Sequence, residues 1–84
     1  MNEKITKALN DVLNAQIECI QNAVNEGIRC DKEPKTIAQL TEQFARNFIL
    51  RYINDNTINK SAVKKIIKDR LIDNKELLRS YGLI

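Results

Sequence analysis

Four lysines, Lys60, Lys64, Lys65 and Lys68, crowd into the stretch NTINKSAVKKIIKDRL, residues 56–71. The chemistry open to them is the holding of a polyanion. Each phosphate contact made by an ammonium group releases counterions and adds affinity that does not depend on base sequence. Turning the stretch at about 100° per residue places Lys64, Lys65, Lys68 and Ser61 opposite Val63, Ile66 and Ile67. Lys60, Lys64 and Lys68 lie four apart, and like charges at that spacing cost a helix about 0.2–0.5 kcal/mol per pair. Asp69 is a ready partner for Lys65, whereas the row 60–64–68 has no acid between its members. A sequence shaped by helix stability alone would interleave glutamates there. The plainer reading of the same residues is the solvated face of a bundle helix.

The charge distribution follows the lysines. Residues 1–54 hold seven basic and seven acidic groups; residues 55–84 hold seven basic and four acidic. The whole net charge of +3 therefore sits in the C-terminal third, a pointer to an anionic partner.

Such a helix needs others to rest on, and the apolar spacing supplies them. Ile5, Leu9, Val12, Leu13, Ile17, Ile20 and Val24 recur at steps of three and four, which predicts a first helix from about Asn2 to Glu26. Gly27 stands where a left-handed cap belongs, with Ile28 placed to close the end against the helix. At 1.5 Å per residue that helix is roughly 37 Å long. A globule of this size measures about 30 Å across. The apolar stripe is also broad and drifts around the axis, so those seven residues are expected to form a homodimer interface. A long helix with the later helices laid along it is the monomeric alternative.

A polar connector, RCDKEPK, leads to Thr36-Ile37-Ala38-Gln39, which reads as a capping box opening a second helix to about Asn54. Ile37, Leu40, Phe44, Phe48 and Tyr52 form one face of it. This stripe is expected to be core rather than a ligand groove, because the chain is otherwise poor in aromatics. Ile49 and Ile53 widen that face toward a second neighbour. Asn54-Asp55-Asn56 ends the helix. A third helix starts near Asn59 or Ser61 and turns Val63, Ile66, Ile67 and Leu71 inward. Asp73 to Glu76 predicts another capping box before a short fourth helix that Gly82 stops, leaving an apolar tail. The expected architecture is all-α: one domain, residues 1–84, a small bundle of three long helices plus a short C-terminal helix, dimerising through the first.

Composition narrows the function classes. With 43% apolar and 30% charged residues the chain is globular rather than disordered. It has no histidine, so triads, imidazole general bases and histidine-ligated metals are excluded. Two glycines cannot make a phosphate loop. Carboxylates do not converge in any apolar setting. No enzyme, cofactor or metal is expected. Cys19 and Cys30 are expected to be free thiols of a reduced, cytoplasmic protein. The longest apolar run, Phe48-Ile49-Leu50, is far too short to span a membrane.

Residues 49–68 also carry a resemblance. Ile53 as an inward residue, Ile58 as a plug in a turn, and Val63 with Ile66 as anchors have spacings that resemble the helix-turn-helix of DNA-binding regulators. The chain differs from that family in having Thr57 where a turn glycine is usual and Ile53 where alanine is usual. It also has no arginine within Asn59–Asp69. The resemblance implies a second helix lying in the major groove. It would bring Asn59, Ser61 and Lys65 near bases or adjacent phosphates, and Lys60, Lys64 and Lys68 onto phosphates. Two functions are thus expected in competition. One is a small dimeric DNA-binding regulator. The other is a helical protein-binding module, such as an antitoxin, an immunity protein or a phage or plasmid inhibitor of a host protein, using the first helix and the tail Tyr81-Gly82-Leu83-Ile84.

Overall fold

The computed structural model describes residues 2–84, and among these every regular element is helical. In order they are α1 (Glu3–Asn25), α2 (Ile37–Arg51), α3 (Lys60–Asp73) and α4 (Lys75–Tyr81).

Local sequence explains most helix ends. The Asn2 side-chain carbonyl accepts from the Lys4 N–H (2.8 Å) and starts α1. At its end Gly27 takes φ 75°, and the Ile28 N–H donates to the Ala23 carbonyl (2.9 Å). That is the left-handed closure expected of Gly27. The Ile28 side chain, however, turns outward and is 51% exposed, so the hydrophobic half of the predicted closure does not form. Thr36 and Gln39 make the predicted capping box in both directions.

Two boundaries differ from expectation. α2 stops at Arg51 rather than Asn54, and Tyr52 leaves the helix at φ −123° while its ring stays 5.0 Å from that of Phe48. The predicted Asp73–Glu76 capping box is also absent. α3 continues through Asp73, and α3 and α4 share Asn74, whose side chain donates to the Arg70 carbonyl (2.8 Å) instead of capping α4.

The helices form an elongated bundle of 41 × 20 × 19 Å. Only its long axis can hold α1, about 35 Å long at 1.5 Å per residue. α2 and α3 pack most intimately on each other, and α4 lies along α1. Leu9 and Leu13 meet Phe48 and Ile67 around a small crevice of about 130 Å³. Ile5, Leu40, Ala45, Val63, Leu71 and Leu78 complete the buried core. Burying a large aliphatic side chain contributes about 1.5–3 kcal/mol, so these few residues carry much of the stability. The stripe on α2 is core, as its spacing predicts: Leu40 and Phe48 are buried, and Ile37, Phe44 and Tyr52 pack half-buried against them.

The C-terminal tail departs from its predicted role as an exposed apolar feature. Gly82 is buried, and Leu83 and Ile84 pack against the core. The first connector runs beside the tail, with the Cys30 N–H donating to the Tyr81 carbonyl (2.7 Å) and the Lys35 N–H to the Leu83 carbonyl (2.8 Å). The tail is a strap across the first connector, and its apolar side chains are used in the fold.

Candidate interaction groove

The lysine row lies where the wheel places it. Val63 and Ile67 of α3 are fully buried, Ile66 is half-buried, and Lys60, Ser61, Lys64, Lys65 and Lys68 are exposed. Its charges are less free than the linear sequence implies. Glu42 of α2 reaches across to Lys64 (2.9 Å), and Lys65 pairs with Asp69 (3.0 Å) as predicted. The row thus receives an acid from a neighbouring helix, a contact invisible in the order of residues along α3. Among the described residues Lys60 and Lys68 are in no ion pair. Asn59 is the N-cap of α3: its side-chain carbonyl accepts from the Ala62 N–H (3.1 Å), which engages the atom that would otherwise meet a base.

The link between α2 and α3 is longer than a helix-turn-helix turn. It runs from Tyr52 to Asn59, against a turn of about three to four residues in that motif. Ile58 does tuck back against the core. Ile53, the residue expected to point inward, is 69% exposed, because α2 has already ended before it. Within this link the Asp55 carboxylate accepts from the Thr57 hydroxyl (2.6 Å) and N–H (2.8 Å). Those two bonds hold its carboxyl below the usual aspartate range.

The outcome is a groove between the end of α2, the link and the start of α3, of about 490 Å³. Ile49 and Ile58 are its half-buried floor, Leu50 (58% exposed) and Ile53 its open apolar lip, and Arg46 and Lys60 its charged margin. Sequence reasoning missed Leu50 and Arg46. A signal for Leu50 was present: at about 100° per residue it falls roughly 140° from the centre of the core stripe, on the wet side of α2.

The seven α1 residues expected at a dimer interface divide between two environments. Ile5, Leu9 and Leu13 are buried in the chain's own core, while Val12, Ile17, Ile20 and Val24 are half-buried. Arg70 fastens this region by donating to the side-chain carbonyls of Asn10 (3.2 Å) and Asn14, tying α3 to α1. Cys19 is exposed on α1 and Cys30 half-buried in the first connector, both as free thiols. No helix is long and apolar enough to cross a membrane among the described residues.

Comparison of the chain with protein-family models, with curated proteins and with solved structures returned no match.

Proposed function

We propose that this chain is a non-enzymatic, helical protein-binding module that docks its partner in the groove between α2 and α3. The observation that carries the reading is the exposure of Ile53 and Leu50 side by side above a half-buried apolar floor. Large apolar side chains in a bundle this small are valuable to its core, and leaving two at one groove costs hydration without any return inside the chain. Helix-in-groove recognition uses surfaces of this kind, with anchors from the partner filling an apolar furrow. An antitoxin, an immunity protein or an inhibitor of a host protein would act this way.

The test is site-specific photocrosslinking in the source cells, with benzoylphenylalanine at position 53 and, as control, at the distant Lys7. A discrete protein adduct at position 53 alone, insensitive to nuclease, is expected. Adducts of equal yield at both positions, or none at position 53, would refute the reading.

The basic face of α3 favours a second reading, DNA binding, with Lys60, Lys64, Lys65 and Lys68 on phosphates and the half-buried α1 residues Val12, Ile17, Ile20 and Val24 joining two copies. A salt titration on random duplex, monitored by light scattering, tests it. Affinity should fall steeply with salt and be lost in the Lys64→Glu/Lys68→Glu variant. Absence of binding at low salt, or binding unchanged in that variant, would sink it.

A further inference from the structure

The groove's charges specify what kind of partner it fits. α2 and α3 face each other here so that Glu42 meets Lys64. One turn further along α2 is Arg46, and one turn back along α3 is Lys60; both line the same groove. The first rung across the groove therefore pairs opposite charges, and the next sets two cations on its margin. Neither Arg46 nor Lys60 is in an ion pair among the described residues. Of the two acids lining the groove, Glu42 is paired with Lys64, while Asp55 in the link keeps its negative charge, one of its oxygens accepting from the Thr57 hydroxyl and N–H. The lining thus carries three cations, Arg46, Lys60 and Lys64, against two carboxylates, a net +1, with Arg46 and Lys60 at the margin of an apolar furrow and in no ion pair among the described residues.

Resting on the docking role proposed above, we infer that the groove binds an acidic amphipathic helix of a partner protein. That helix would set bulky aliphatic side chains against Leu50, Ile53 and Ile58, and a carboxylate between Arg46 and Lys60. A phosphate backbone could answer the two cations, but it has nothing to place on three aliphatic side chains. Of the groove-lining residues only Tyr52 is aromatic, and its ring is already packed on Phe48, so a stacking platform for bases is missing. A second copy of this chain would have to bring an exposed acidic, apolar helix face. The exposed face of α3 is basic, and of the half-buried α1 residues Ile20 packs against the chain's own core.

The probe is a fluorescein-labelled synthetic helical peptide with two leucines at i and i+4 flanked by glutamates, beside a matched peptide with lysines in place of the glutamates. Binding to the full chain is read by anisotropy and by methyl shifts of Leu50, Ile53 and Ile58. The glutamate peptide should move those methyls and bind at least about tenfold more tightly than the lysine peptide. Arg46→Glu/Lys60→Glu should invert the preference, and Ile53→Asp should abolish both while the thermal melt stays in place. Equal binding of the two peptides at Ile53 would overturn the acidic partner and leave the docking role standing. Unmoved methyls with either peptide would overturn both. Methyl shifts produced by dilution of the protein alone would assign the groove to a second copy and overturn the inference. Shifts at the same methyls with a single-stranded oligonucleotide, and none with either peptide, would assign it to nucleic acid and overturn it likewise.

Discussion

The two long connectors of this molecule solve opposite problems. The first, between α1 and α2, is polar in sequence and is sealed. The C-terminal tail straps it through Cys30 and Lys35, and Arg29 donates to the Ser80 carbonyl (3.4 Å). The second, between α2 and α3, packs Tyr52 and Ile58 against the core, but its hydrogen bonds are local, as in the turn at Asp55 and Thr57, and Ile53 stays in water. The polar connector is structural, and the apolar one is left open at Ile53. Exposure of apolar groups is informative where the backbone around them could have covered them and does not.

The sharpest way to break this contrast is to loosen the sealed side. Leu78 lies beneath the tail at 1% exposure, so Leu78→Ala should cost about 2–5 kcal/mol and release the strap. Thermal denaturation measures the loss, and amide exchange at Cys30 and Lys35 reports the strap. Protection unchanged at those amides would separate the tail from the connector.

Next come the two left-handed glycines. Gly27→Ala meets open space and should cost only the backbone term, about 1 kcal/mol. Gly82→Ala has the same positive φ, and its new Cβ would lie 3.2 Å from Arg29 Nη2. It should therefore cost more, toward about 2 kcal/mol, and break the Arg29–Ser80 contact. Equal losses in urea titrations would show that Arg29 yields freely and that the seal depends on the backbone bonds alone.

A smaller effect is expected on the open side. Ile53→Asp should change stability by no more than about 0.5 kcal/mol, since its side chain is largely in water. A loss resembling that of Leu78→Ala would place Ile53 in the core in solution.

The smallest is a pH effect at Asp55. Its carboxyl is depressed in the folded chain, so the Thr57 bonds favour folding above the ordinary value of 3.8 and are lost as the pH falls through the lower folded value. The Thr57 amide resonance should inflect below pH 3.8, and in Asp55→Asn it should not. The carboxylate is exposed, so global stability should barely respond.

Much of the fold was legible beforehand because it rests on local physics. Asn2, Gly27, Thr36 with Gln39, Asn59 and Gly82 mark helix ends through bonds made within a few residues of themselves. The three-and-four spacing of α2 named its core face for the same reason. The groove was far less legible. Arg46 and Lys60 are unremarkable in sequence and become a site only by facing each other across two packed helices. Ile53 reads as inward from its spacing, and the end of α2 at Arg51 leaves it in the following turn, largely in water.

Helix content, caps and the identity of the core face follow from residue order, because each depends on neighbours one turn away. Which charges remain unpaired, whether the tail is free, and where apolar surface stays open depend on contacts between residues far apart in the chain. Glu42 with Lys64, Cys30 with Tyr81 and Arg70 with Asn10 are such contacts. Charge and burial at each of these positions are set by what packs opposite, and that is defined only once the helices are assembled.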